Sequence, residues 1–122
     1  MPKFYDTRHK QDFLDVLRMM KSQDCYHQAV AYLLTLDVAI RAHINDVFDF
    51  ADDCVKVNTA LSHGWQTGTS RKSTRLRMNL WNGHCSDYDE VSANYAVDEI
   101  FCCGYAPYYW EAIKLRYPEY CQ

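Results

Sequence analysis

Long apolar runs are absent from this chain. No stretch approaches the ~18 consecutive apolar residues of a transmembrane helix, so a membrane-spanning protein is not expected. The N-terminus, MPKFYDTRHKQDF, has neither an apolar run nor a small-residue cleavage site, which argues against a signal peptide. Outside a secretory context the six cysteines are expected to be reduced thiols buried as small hydrophobes, in a cytoplasmic protein. Only three prolines interrupt the 122 residues, and no repeat, low-complexity run or linker occurs. A single helical domain over residues 1–122 follows.

The usual chemical signatures are missing too. There is no CxxC, and the pairs His84–Cys85 and Cys102–Cys103 lack chelating geometry, so no metal and no other cofactor is expected. No GxxxxGK[ST] occurs, which excludes a Walker A loop. In RAHINDVFD, Arg41, Asn45 and Asp49 fall at four-residue spacing, and Asp46 lies one turn from His43. Without the paired histidines of HExxH, this reads as an internal hydrogen-bond network rather than a catalytic group.

Acidic residues are absent from Cys54 to Ser86, while Lys56, Arg71, Lys72, Arg75 and Arg77 lie inside that span. Taking those five charges from the net −3 leaves −8 for the rest of the chain. An acidic body with one basic segment is a poor footprint for nucleic acid, which is not an expected partner.

What is present is helical periodicity and aromatic surface. Ten tyrosines, three tryptophans and five phenylalanines make the aromatic fraction 15%, and these are expected mainly in the core or half-buried. Asp6 precedes a helix to about Lys21, with Phe13, Leu17 and Met20 in register and Leu14 and Met19 widening the stripe. Asp24 caps a second helix, Cys25 to Leu36. Asp37 caps a third, Val38 to about Phe50, burying Ile40, Ile44, Val47 and Phe48. Asn58 is placed to cap a short turn through Leu61. Thr69 or Ser70 then caps a helix from Arg71 to Asn82, anchored by Leu76 and Leu80 and closed by Gly83. Asp98 is set to cap a short helix through Cys103, and Pro107 suits the first turn of a last helix, Tyr108 to Arg116. No strand-period alternation stands out. The expected fold is mainly α, a compact bundle of five to seven short helices with little or no sheet.

The segment GWQTGTSRKSTRLRMNLWNG, Gly64 to Gly83, carries the most chemistry. A helix start near Ser70 offers free amides and a positive dipole end, a combination that binds anions. Thr67, Thr69 and Ser70 add hydroxyls beside Gln66. Arg71 and Arg75 share a helical face suited to phosphate, which Asn79 extends. Trp65 and Trp81 bracket the segment as stacking partners. The structural alternative is that the hydroxyls only cap the helix while the arginines pair with Asp46, Asp49 or Asp53.

Together with the opening KFYDTRHKQDF and the stretch DEIFCCGYAPYYWEAIKLRYPEY, this segment resembles a family of short uncharacterised proteins. Its members occur in Gram-positive bacteria, their phages and other mobile elements. The resemblance implies no activity and no catalytic residues. Its context implies counter-defence, in the host cytoplasm if the chain is phage-encoded. The expected function is a non-catalytic binding protein that sequesters a phosphorylated nucleotide-type immune signal. Homo-oligomers are compatible with so small a chain. Two alternatives stand beside it: an inhibitor or regulator of a host defence protein, and a small nucleotide-degrading enzyme using His43 or Asp46.

Overall fold

A computed structural model describes residues 2–56, 61–87 and 92–121. Its centre is a helix that is apolar almost all round. In α2, Cys25–Leu36, every residue from Ala29 onward is buried, and a helix of that kind must be covered on several sides. Helix α1, Thr7–Met19, α5, Gly68–Asn82, and α7, Ala106–Arg116, supply the cover. Val30, Leu33, Leu34 and Leu36 are fully buried, and each such side chain gains about 1.5–3 kcal/mol over exposure.

The first helices begin where the sequence puts them. Asp6 accepts the His9 amide at 2.8 Å and Asp24 accepts the His27 amide at 3.0 Å, satisfying first-turn donors that otherwise lack partners. α1 turns His9, Phe13 and Val16 inward, one helical stripe.

The expected long third helix is broken. α3 runs only Val38–Ala42, His43 leaves helical geometry at φ −117° and ψ 33°, and α4 spans Ile44–Val47. Phe48–Asp49, β1, then pairs antiparallel with Cys54–Val55, β2, in the register Phe48↔Val55 and Asp49↔Cys54. The cause is local. The Asp49 carboxylate accepts the amides of Ala51 and Asp52 at 3.0 and 3.1 Å, an aspartate turn that competes with continued helix. Ile40, Ile44, Val47 and Phe48 are nevertheless all buried, because both shapes turn them to the same core.

Helix α5 starts earlier than expected: Thr67, not Thr69 or Ser70, is the cap, and Gly83 closes the far end at φ 76°. A 3₁₀ turn, Ser92–Tyr95, and α6, Val97–Ile100, lead to α7, which carries Pro107 in its first turn. Ala96 rather than Asp98 precedes α6. The turn expected at Asn58 lies outside the described residues.

Seven helices and one two-stranded sheet make the fold mainly α among the described residues. No helix among them is long and apolar enough to cross a membrane. All six cysteines are free, but none is fully buried, and Cys85 and Cys102 are exposed. That corrects the expectation of buried thiols: the core is filled by aliphatic and aromatic side chains, and the cysteines sit at its margins.

Candidate ligand cleft

The start of α5 is built by reciprocal capping. The Thr67 hydroxyl accepts the Ser70 amide at 3.0 Å, and the Ser70 hydroxyl oxygen accepts the Thr67 amide at 2.8 Å. The Ser70 hydroxyl in turn donates to Gln66 Oε1, while Gln66 Nε2 donates to Thr74 Oγ1 at 3.2 Å. The Thr67 carbonyl takes the Arg71 amide. Gly68 and Thr69 are left as first-turn residues whose amides have no protein acceptor among the described residues. Two donors at the positive end of a 15-residue helix are therefore open.

Thr69 brings that helix end to a cleft of about 400 Å³, lined also by Tyr5, Asp37, Gly104 and Tyr105. The volume suits a small organic ligand. Its aromatic wall is continuous. The Tyr5 ring meets Tyr105 edge-on at 5.6 Å and Tyr108 at 5.3 Å. Burial, and then the nearby Asp37 carboxylate, raise the pKa of Tyr105, so its hydroxyl stays a neutral donor. Asp37, only 8% exposed, ends α2 and accepts the Ala39 amide at 2.8 Å. One oxygen thus fixes α3 while the carboxylate still borders the cleft. The lining combines Thr69 at the start of α5, two tyrosine side chains and the Asp37 carboxylate.

The other residues singled out in the sequence are distributed around and along α5. Thr67, Ser70 and Gln66 form the cap just described. Arg71 donates from Nε to the Leu61 carbonyl at 3.4 Å. Arg75 is ion-paired with Asp87 at 3.2 Å; Asp87 lies one residue beyond the acid-free span and replaces the Asp46, Asp49 or Asp53 partners weighed from sequence. Asp87 also accepts from Asn94 at 2.8 Å, and burial of its carboxyl is outweighed by these bonds, which hold its pKa below the usual range. Asn79 donates to the His84 carbonyl at 3.0 Å. Trp65 stacks on His43, whereas Trp81 packs edge-on against His27 and Phe48. Sixteen residues separate the two indoles, and a helix rises about 1.5 Å per residue, so they do not share one base.

Residues that the sequence did not mark complete the region. In the sequence Tyr5 and Gly104 carry no signal, Asp37 reads as a helix cap, and Tyr105 is one of ten tyrosines expected mainly in the core or half-buried. Arg77 was counted as one charge of the basic segment. It is fully buried, and none of its three guanidinium nitrogens has a hydrogen-bond partner among the described residues. Burial lowers its pKa to about 9, which leaves it cationic at neutral pH. A signal existed: Ser70, Ser73, Thr74 and Arg77 form a polar stripe at helical spacing, and all four are 0% exposed.

The full length, residues 1–122, matches one family model. The chain belongs to DUF6075, a family of unknown function. No curated protein and no solved structure matches it. Membership in DUF6075 assigns no chemistry, so the side chains themselves must supply the functional reading.

A second cluster in this DUF6075 chain surrounds Asp46. Trp65 donates from Nε1 to Asp46 Oδ2 at 2.9 Å, and the Nδ1 atoms of His43 and His63 lie 3.7 and 3.9 Å from that oxygen. The Trp65 ring is nearly parallel to both imidazoles, 4.6 Å from His43 and 6.1 Å from His63. His43 and Asp46 are three residues apart, and the segment after β2 brings His63 and Trp65 to the same carboxylate. No metal-binding group of three or more His, Cys, Asp or Glu residues occurs among the described residues.

Proposed function

We propose that this chain is a non-catalytic binding protein that takes up a phosphorylated nucleotide-type molecule in the Tyr5–Tyr105 cleft. The observation that carries the reading is the meeting of two unfilled α5 amides with an aromatic-walled cleft at Thr69. Such amides favour a phosphate. The tyrosine rings favour a planar base, and Asp37 favours an exocyclic amino group, which together describe one ligand rather than three. The resemblance to proteins of Gram-positive bacteria, their phages and mobile elements supports a counter-defence role. In that role the chain would sequester a nucleotide immune signal in the host cytoplasm.

Calorimetric titration with cyclic dinucleotides and ADP-ribose derivatives tests this. The expected result is saturable heat with one of them, weakened about tenfold or more in Tyr105→Ala, since base–aromatic stacking contributes about 1–3 kcal/mol. Absence of heat with every compound refutes the reading. The Asp46 cluster supports a second one, the nucleotide-degrading enzyme, because two imidazoles beside one carboxylate can move protons. Ligand recovered intact after incubation and denaturation removes that alternative, whereas loss abolished in His63→Ala establishes it.

A further inference from the structure

Arg77 keeps a guanidinium inside the fold that is unpartnered among the described residues. All four polar residues of the α5 stripe are buried, yet three of them are satisfied. Ser70 bonds Gln66, Thr74 donates to the Ser70 carbonyl at 2.9 Å, and the Ser73 hydroxyl meets the Tyr109 hydroxyl at 2.6 Å. Among the described residues the Arg77 guanidinium has no hydrogen-bond partner. A folded chain seldom keeps five N–H donors and a full charge in its interior without an acceptor. Replacing such a residue by an apolar one of similar volume is often neutral or stabilising, so its retention points to a ligand.

Its position leads to the cleft. Side chains on an α-helix lean toward the N-terminus, so Arg77 leans toward the level of Ser73, one turn earlier. The electrostatic interaction of Arg77 with Tyr109 agrees, since the Tyr109 hydroxyl is the group bonded to Ser73. Thr69, one turn before Ser73, lines the cleft. On the other side Cys103 Sγ lies 3.7 Å from the Tyr109 hydroxyl, and the next two residues, Gly104 and Tyr105, line the cleft as well. Thr69, Ser73 and Arg77 therefore follow one another along α5, from the cleft at Thr69 to the Tyr109 hydroxyl at Ser73 and on to the buried guanidinium.

We propose that Arg77 is the internal anchor of the cleft and takes a phosphoryl oxyanion of the ligand at the Ser73–Tyr109 level. This rests on the cleft being a ligand site and adds its anion-binding group. Guanidinium suits the task because two parallel N–H donors match two phosphate oxygens. The Ser73 and Tyr109 hydroxyls, now bonded to each other, can rotate to donate to the same oxyanion. Ser73, Arg77 and Tyr109 have no exposed surface, so segment 103–105 must shift for the phosphate to pass.

Thermal unfolding of the full chain with inorganic phosphate, against chloride at equal ionic strength, tests the anchor. Phosphate is expected to raise the wild-type Tm by about 3–6 °C. Arg77→Met is expected to start from an equal or higher Tm and to keep only the small general stabilisation that phosphate gives by exclusion from the surface. An equal shift in Arg77→Met, or none in the wild type, overturns the proposal; the latter is the outcome if internal water alone satisfies the guanidinium. Should Arg77→Met fail to fold, the ¹⁵N-labelled wild type decides. The Arg77 Nε–H resonance must move with phosphate and not with chloride, and a stationary resonance overturns the assignment. Titration with AMP separates the two proposals. AMP bound equally by wild type and Arg77→Met keeps the cleft as a nucleotide site but removes Arg77 from it. A phosphate shift dependent on Arg77, without AMP binding, keeps the anchor and removes the nucleotide.

Discussion

His27 has a carboxylate at each ring nitrogen: Asp24 Oδ1 lies 2.7 Å from Nδ1 and Asp53 Oδ2 lies 2.7 Å from Nε2. Burial lowers the pKa of this imidazole, but the hydrogen bonds to Asp24 and Asp53 outweigh burial and raise it. Because its folded pKa exceeds the unfolded value of 6.5, its contribution is complete below pH 6.5 and fades as pH rises through the folded pKa. His9 behaves in the opposite way. Burial holds its pKa down; its Nδ1 accepts the Tyr5 amide at 3.0 Å while Nε2–H donates to the Tyr32 carbonyl at 2.9 Å. Protonating Nδ1 would set two donors against each other, so the His9 contribution is present above pH 6.5 and is lost as pH falls through its lowered pKa. We expect His27→Gln to cost about 1–2 kcal/mol at pH 6 and clearly less at pH 9, read from urea midpoints. A cost independent of pH would show that His27 is not held as an imidazolium. None of this was legible from composition, because Asp24 and Asp53 are distant in sequence and are joined only by the turn after β1.

At the scale of elements, α5 combines a hydroxyl cap at one end with a left-handed glycine at the other. Thr67→Ala removes one half of the capping box and is expected to cost about 1 kcal/mol. Gly83→Ala forces a Cβ into φ 76° and is expected to cost about as much, although an added Cβ there meets no neighbour. Urea unfolding at neutral pH measures both. If Thr67→Ala is neutral while Thr69→Ala is costly, the cap belongs where the sequence first placed it. Local chemistry explains which boundaries could be read in advance. Asp6, Asp24 and Gly83 act on their own neighbours, so the termini they set were visible. Thr67, Thr69 and Ser70 all have cap-competent hydroxyls, and the choice is made by Gln66 and Thr74, whose side chains meet Ser70 only once the helix exists. The break at His43 was hidden for a related reason, since Ile40, Ile44, Val47 and Phe48 keep the same burial in a helix or a helix–strand turn. Likewise the cleft draws Tyr5, Asp37, Thr69 and Tyr105 from four separate parts of the chain, and no local pattern links them.

The whole molecule depends on α2 being enclosed. Its Tyr32 hydroxyl donates to the Lys3 carbonyl at 2.5 Å, the Lys3 amide donates to Glu111 of α7 at 2.8 Å, and Arg116 of α7 donates to the Leu80 carbonyl of α5 at 2.8 Å. α5 and α7 are thereby tied to each other by a polar contact as well as to α2 by apolar packing, and the segment before α1 is bonded to both α2 and α7. Such a closed set leaves no helix with a core of its own, so unfolding should be a single cooperative event. Leu33, with no exposed surface, is the most direct probe: Leu33→Ala leaves a cavity facing several elements and is expected to cost about 2–5 kcal/mol. Against a total stability of about 5–15 kcal/mol, that is a large fraction. Two signals report on different parts. Far-UV circular dichroism follows all the helices, whereas tryptophan fluorescence follows Trp65 and Trp81 flanking and within α5, together with Trp110 of α7. We expect both signals to share one urea midpoint in the wild type and to move together in Leu33→Ala, with an unchanged slope. Separate midpoints would mean that α1 or the 92–116 region unfolds independently, and the enclosure of α2 would then be incomplete.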